Sequence, residues 1–322
     1  MSDFKPKVTV VILTYNAKTT LGDILDKAIS SALDQDYENI EVIVVDNGSS
    51  DNTYDHLKLK YGAKIKVIKF PRNYGYCLGN NLALRYVSSD TKYVLFQNPD
   101  AILSRNYIRK LIKILENNAN AVATQGLEIQ PINKWIRVGG SLNIAGYSVD
   151  IMSQSSSGVQ QCFEILFAFG AALLIRKDVF EMVGGFSSDY FLYYDEADLG
   201  LRLRALGFKI LGCTHTSYIH YVQATVSRLR NFNPVIIYFI NRNRLLTILK
   251  YFYGSYLIKA LILNILIMSL HFIKSSTKRR IIVQIALNIL RSIKNIIKIR
   301  KIYVPLLRKS KILEKFIKIE FK

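Results

Sequence analysis

VIVVDNGSSDNT (42–53) and YVLFQNPDAIL (93–103) decide the fold. Each opens with a short, uncharged apolar run and closes in a turn that carries an aspartate, Asp46 in the first and Asp100 in the second. Runs of this kind read as strands buried on both faces, as in a parallel sheet. In open α/β sheets, ligands bind beyond the carboxyl ends of the strands. Carboxylates far apart in sequence can therefore converge on one pocket. A third acidic site, Asp195, Glu196 and Asp198 in YFLYYDEADLGLRLRALG (190–207), opens an amphipathic helix.

Outward from these stretches, 8–13, 65–70 and 167–175 read as further apolar strands, and 21–33, 79–87, 104–116 and 179–183 as helices. Tyr107, Ile108, Leu111, Ile112 and Leu115 mark one buried helical face. The alternation predicts an α/β fold with a mostly parallel sheet and right-handed crossovers. Residues 131–160, rich in Gly, Ser, Asn and Gln, read as surface loops of the kind that carry binding lids.

The net charge of +20 on 322 residues is unevenly spread. Residues 1–233 hold 25 Lys and Arg against 22 Asp and Glu, whereas residues 234–322 hold 19 against 2. That divides the chain into an ordinary near-neutral domain, 1–233, and a basic, Ile-rich helical region, 234–322, suited to an anionic surface. A hydrophobic content of 50% excludes a disordered protein. Cys77, Cys162 and Cys213 are scattered and odd in number, which argues against a disulfide framework and for a reducing compartment. The N-terminus runs straight into a strand with no signal-peptide pattern, and the expected location of this part is the cytoplasm.

Several residue types point to chemistry. Asp46 either accepts a hydrogen bond from the N–H of a base or bonds its own turn. Pro99 stiffens the turn that aims Asp100, a hard oxygen ligand for Mg²⁺ or Mn²⁺, or another turn aspartate. Asp195 and Glu196 repel each other, which lifts one towards working pH as a general base; the alternative is acids that complement the helix dipole. Asp198 and Arg202 are spaced for an i,i+4 ion pair. Asn73 and Gly75 belong to a Gly- and Asn-rich turn that lets a phosphate or ribose approach the backbone. Tyr190, Phe191, Tyr193 and Tyr194 suit a sugar face or a core. His220 is either a ligand or a hydrogen-bonded structural residue. No Gly-rich dinucleotide fingerprint follows the first strand, which argues against a dehydrogenase.

Taken in order, VTVVILTYNA, IEVIVVDNGSSDNT, NYGYCLGNNLAL, YVLFQNPDAIL, the stretch 169–208 and His220 resemble family 2 glycosyltransferases of the rhamnosyltransferase-like kind, over about residues 7–250. The resemblance implies a GT-A fold and an inverting transfer of a hexosyl or deoxyhexosyl group from a UDP-, dTDP- or GDP-sugar. It implies that Thr14, Tyr15, Asn16 and Asp46 bind the nucleoside. Asn98 and Asp100 occupy the place of the DxD motif, with Asp100 on the metal and His220 at the metal or diphosphate. The family's Glu-Asp pair is reversed here as Asp195-Glu196, so position favours Glu196 as base and leaves Asp195 open; Asp198 is grouped with the donor contacts. Arg242-Asn243-Arg244 resembles a motif that faces an acceptor phosphate.

The stretch 256–273 carries one charge, Lys259, and is borderline for a membrane span. Residues 281–301 place Ile282, Ile285, Ile289, Ile293 and Ile296 against Arg291, Lys294, Lys298 and Lys301, a basic amphipathic pattern. The expected location is therefore monotopic, on the cytoplasmic leaflet of the plasma membrane, meeting a lipid-linked or other glycan acceptor and no nucleic acid. The competing class is a non-catalytic, membrane-bound scaffold that binds nucleotide or sugar.

Overall fold

The computed structural model describes residues 5–131, 135–152, 161–221, 233–274 and 276–318. Strand β1 (Lys7–Thr14) is central. It is followed by α1 (Ala17–Leu21), α2 (Asp23–Leu33), β2 (Ile40–Asp46), α3 (Thr53–Tyr61), β3 (Lys66–Lys69), α4 (Gly75–Ala83) and β4 (Thr91–Gln97). β1 pairs in parallel with β2 and β4, and β2 with β3. The register matches Thr14 with Asp46 and Ile12 with Gln97, so the carboxyl ends of three strands finish level. Alternation within β1 sends Val10 and Ile12 to one apolar layer, with Leu25, Ile29, Leu57 and Leu111, and Val11 to the other, with Phe96, Phe180 and Phe186. Full burial of one such side chain contributes roughly 1.5–3 kcal/mol.

The chain continues through β5 (Ala101–Leu103), α5 (Tyr107–Glu116), β6 (Ala121–Gln130), β7 (Trp135–Asn143), β8 (Ser148–Met152), β9 (Cys162–Glu164), β10 (Ala172–Arg176), α6 (Lys177–Met182), α7 (Asp195–Ala205) and β11 (Lys209–His220). It ends with α8 (Pro234–Tyr251), α9 (Gly254–Lys274), α10 (Ser276–Arg291), α11 (Ile293–Lys309), α12 (Ile312–Phe316) and β12 (Ile317–Lys318). The strand order is β12-β7-β6-β10-β4-β1-β2-β3, with β11 beside β6. The first half of this sheet is parallel as expected. The second half is mixed, because β10 enters antiparallel between β4 and β6.

Four expectations are corrected. The stretch 131–160 is not loop: β7 and β8 form an antiparallel pair inside it, while 132–134 and 153–160 lie outside the described residues. Its small residues serve packing, for a Cβ on Gly140 would run into the Phe167 ring. Cys162 and Cys213 are joined, since β9 and β11 pair antiparallel with these residues directly opposite; only Cys77 is free. The cysteines therefore give no argument for a reducing compartment. The 281–301 pattern is two helices separated at Ser292, and Ile285 and Ile296 of its apolar stripe are buried in the protein. Among the described residues no helix is long and apolar enough to cross a membrane, so the spanning alternative for 256–273 is set aside.

The helices after β11 share buried side chains with the sheet: Tyr251, Phe252 and Leu313 pack with Leu142, Phe167 and Leu201. In this half a Cβ built on Gly212 would run into the carbonyl of Val138. A methyl group there would meet main chain that cannot rotate away. Gly212→Ala is expected to lower stability by about 1–3 kcal/mol, measured by urea unfolding, with loss of the β7–β11 contact as the cause.

Candidate active site

A cleft of about 550 Å³ opens at the level carboxyl ends of β1, β2 and β4. It brings together Thr14 at the end of β1 with Tyr15 and Asn16 after it, Asn73 and Gly75 at the start of α4, Asn98 and Asp100 after β4, Asp195 and Glu196 on α7, and His220 at the end of β11. Ten positions singled out from the sequence thus share one cavity of a size suited to a small ligand.

One wall is a set of turns. Asn16 adopts φ of 50°, which asparagine tolerates, and its Oδ1 accepts the Ser50 amide at 2.9 Å. Asp46 is fully buried and does not reach the cleft surface. Its Oδ1 accepts the Ser49 amide at 3.2 Å, while Oδ2 has no partner. The neighbouring Asn47 lines the cleft instead and donates to Asn73 Oδ1 at 3.1 Å. Gly75 does not leave room for a phosphate: with φ of 75°, the space its side chain would take is filled by Phe191. Its role is to admit the aromatic loop.

A second wall gathers hard donors. His220 Nε2 lies 3.3 Å from Asp100 Oδ1 and 3.4 Å from the Asn98 amide. Its Nδ1 lies 2.8 Å from Glu128. Burial alone would lower the imidazole, but the bonds to Asp100 and Glu128 outweigh it and raise it to about 9. Carboxylate oxygen, amide oxygen and imidazole nitrogen form a donor set that fits Mg²⁺ or Mn²⁺ and leaves coordination positions for other oxygens.

The third wall is the start of α7. Asp195 is pushed well above the usual carboxylate range by burial and by the charge of Glu196. Glu196 is raised too, by burial, against the opposing effects of the Gly170 amide, Arg137 and the hydrogen bond from Asp195. Glu196 Oε1 lies 3.3 Å from that amide. Both carboxyls are thus pushed towards the protonated form, and the contacts that oppose this fall on Glu196. The preceding backbone is strained, with Tyr193 and Tyr194 at φ of 68° and 66°. Each left-handed non-glycine residue costs roughly 1–2 kcal/mol. Asn243 holds the strain in place by donating to the Leu192 and Tyr193 carbonyls at 2.7 and 3.0 Å.

That contact corrects the acceptor-side assignment. Asn243 and Arg242 are buried, and Arg242 bonds the Asp189 carbonyl, Asn243 and Asn288. Both clamp the aromatic loop rather than face the cleft. Asp198 is corrected as well. It is fully buried outside the cleft, bonded to Arg202 at 2.8 Å and Tyr251 at 2.6 Å, with Lys250 at 3.5 Å. Its i,i+4 ion pair with Arg202 is the role the structure supports.

Besides Asn47, three residues escaped the sequence reading. Arg137 and Phe169 line the cleft, the guanidinium lying 3.5 Å over the ring. Glu128 stands behind them with no exposure. A lone acid in the strand ATQGLEIQ was a usable signal for Glu128. Arg137 carried none, because its strand was read as loop.

This geometry defines a class. Residues 9–184 match the family described as Glycosyl transferase family 2, and the chain belongs to that family. Among its relatives, the Haloferax volcanii low-salt glycan biosynthesis hexosyltransferase Agl10 is 25% identical over 243 residues, 73% of this chain and 74% of Agl10. The rhamnosyltransferase WbbL of Escherichia coli K12 is 25% identical over 231 residues, 66% of this chain and 83% of WbbL. An uncharacterized glycosyltransferase of Haemophilus influenzae is 35% identical over 120 residues, and the match spans only 35% of its length. Among solved structures, GalNAc-T7 with UDP, GalNAc and Mn²⁺ superposes with a TM-score of 0.61 at 12% identity, covering 76% of this chain and 48% of that one. The Pyrobaculum calidifontis mannosyltransferase PcManGT with GDP-Man and Mn²⁺ gives 0.56 at 14% identity, covering 97% and 88%. The fold is GT-A, as the sequence resemblance implied.

Because Asp195 and Glu196 are raised by folding, the folded chain binds more protons than the unfolded chain between the ordinary carboxylate range and the raised values. Stability then falls as pH rises through that window. Glu196→Gln removes the like charge. It is expected to unfold at a higher temperature than wild type at pH 8, with the difference closing below about pH 4, where carboxylates are protonated in both states. Thermal unfolding across pH checks this.

Proposed function

We propose that this chain is an inverting glycosyltransferase that moves a hexosyl or deoxyhexosyl group from a nucleoside-diphosphate sugar to a hydroxyl of a lipid-linked glycan. One observation carries the reading: the adjacent acids Asp195 and Glu196 face the same cleft as the Asp100–His220 donor set. A relative named for glycan biosynthesis, a rhamnosyltransferase, and fold neighbours that hold UDP or GDP-Man with Mn²⁺ support it.

Asp100 and His220, with Asn98 beside them, would hold a Mg²⁺ or Mn²⁺, which supplies positive charge against the leaving diphosphate. Thr14, Tyr15, Asn16 and Asn47 form the nucleoside wall. Phe169 and Phe191 offer apolar faces to the sugar. Glu196 removes the proton of the acceptor hydroxyl as its oxygen attacks the anomeric carbon. The bond from that carbon to the diphosphate oxygen breaks on the opposite face, and its electron pair leaves with the diphosphate. Asp195, buried beside Glu196 on the first turn of α7, lowers Glu196 against its burial and so favours the ionised form that accepts the proton. Arg137 supplies fixed positive charge in the same cleft.

The membrane reading rests on side chains left uncovered by folding. Ile258, Ile262, Ile265 and Leu266 on α9 are exposed at helical spacing, as are Val283, Leu287 and Leu290 on α10. They sit in the region with 19 basic and 2 acidic residues. Apolar faces in such a field suit the interface of an anionic, cytoplasmic leaflet.

Glu196→Gln is expected to cut sugar transfer by about 10²–10⁴-fold while UDP, GDP or dTDP with Mn²⁺ still raises the melting temperature as in wild type. Near-normal turnover would show that Glu196 is not the base. For the surface, wild type should sediment with vesicles containing anionic lipid and stay free with neutral ones. Ile262→Glu with Leu266→Glu should abolish sedimentation; retention would place the contact elsewhere.

A further inference from the structure

Glu128 touches no open space, yet both working ends of the cleft run through it. β6 lies between β7 and β11, and the register sets Glu128 opposite Arg137 on one side and Tyr218 on the other. Directly paired residues stand on the same face of a sheet, and so does His220, two residues beyond Tyr218. Five donors therefore surround one carboxylate. Oε1 takes Gln130 and an Arg137 nitrogen, both at 2.9 Å, and His220 Nδ1 at 2.8 Å. Oε2 takes Arg137 Nε at 2.9 Å and the Tyr218 hydroxyl at 3.0 Å. A buried carboxylate this fully satisfied has no acceptor capacity left for a ligand.

Its effect is on the two partners that do face the cleft. His220 must present an Nδ1–H to an acceptor-only carboxylate. In the neutral ring, the free electron pair is then on Nε2, the nitrogen 3.3 Å from Asp100. Arg137 is fixed by its fork on Glu128 and by Asp150 at 2.7 Å, so its plane is held over Phe169.

Resting on the donor-site reading above, we infer that Glu128 is a positioning residue that fixes the proton of His220 on Nδ1 and thereby sets Nε2 as a metal ligand, while holding Arg137 in the same cleft by the same carboxylate. The replacement that discriminates is Glu128→Gln. A glutamine fills the same volume, but it is uncharged and has a single acceptor oxygen for the five donors that surround the carboxylate. The hold on the Nδ1 proton weakens, and the ring with the proton on Nε2, which cannot bind a cation, gains population.

Mn²⁺ is titrated into the full-length protein in the presence of UDP, GDP or dTDP, with free Mn²⁺ read by electron paramagnetic resonance. Glu128→Gln is expected to bind Mn²⁺ about 10–100-fold more weakly than wild type. Glu128→Asp, which keeps the acceptor, should recover part of the loss. Tyr218→Phe, which removes one donor from the carboxylate and leaves the ring alone, should stay near wild type. Equal affinity in wild type and Glu128→Gln overturns the role of Glu128 and leaves the donor site standing. No Mn²⁺ uptake by wild type with any nucleotide overturns the donor-site reading and this inference together. A test without variants uses ¹⁵N-histidine spectra of the wild-type protein with Mg²⁺ and the nucleotide. The His220 proton is expected on Nδ1 alone, and a proton on Nε2 in that state overturns the assignment even if Glu128→Gln does not fold.

Discussion

A charged group buried in a sheet persists only if donors replace the water it has lost. Glu128 meets that condition through Arg137, His220, Tyr218 and Gln130, and burial that would raise it is overcome so that it stays well below the usual carboxylate range. The requirement runs outward. β7 must align Arg137, β11 must align Tyr218 and His220, and the strands between 121 and 220 then form one surface behind the cleft. His220 in turn meets Asp100 from the other half of the sheet, so the carboxylate ties the parallel and mixed halves together.

The opposite wall obeys a different constraint. Asp195 and Glu196 sit where burial and like charge work against ionisation, after two residues in a disfavoured backbone conformation. Such an arrangement holds only if the surroundings over-determine it. The clamp comes from α8, whose first turn is set by Pro234 and by Asn233 accepting the Val235 amide at 3.0 Å. Arg242 and Asn243 then reach the loop carbonyls, and Tyr190 bonds Thr247 at 2.9 Å. A helix from the basic region thus shapes the acidic pair, and the Asp198–Arg202–Tyr251–Lys250 network anchors α7 to that helix.

The C-terminal helices also show how burial redistributes a sequence pattern. The Ile stripe of 281–301 reads as an interfacial face, but Ile281 and Ile285 pack with Leu245 and partly buried residues of α8 and α9, and Ile296 joins the sheet's own apolar layer. What stays uncovered is largely a different set, on α9, on the far side of α10 and on α11, where Ile293 of the stripe is exposed with Ile297 and Ile302. Helical periodicity identifies an apolar face. It does not identify which neighbour covers that face, and here the neighbour is α8.

The sequence by itself determined the first half of the sheet, because uncharged runs of strand length, rich in β-branched residues and ending in the turns at Asp46 and Asn98-Pro99-Asp100, read as buried strands. It also determined which polar residues gather: Thr14, Asn16, Asn73, Asp100, Asp195, Glu196 and His220 all line one cleft. These are local facts, set by composition and turn chemistry within a few residues. Only the tertiary structure decided what depends on strand register and helix docking. Register placed Cys162 against Cys213 and Glu128 between Arg137 and Tyr218, although the partners are separated by 9 to 90 residues. Docking turned Arg242, Asn243 and Asp198 from ligand contacts into internal supports. The physical reason is the same in each case: a polar side chain answers to the nearest partner in space, and sequence spacing does not encode that partner once strands pair out of order.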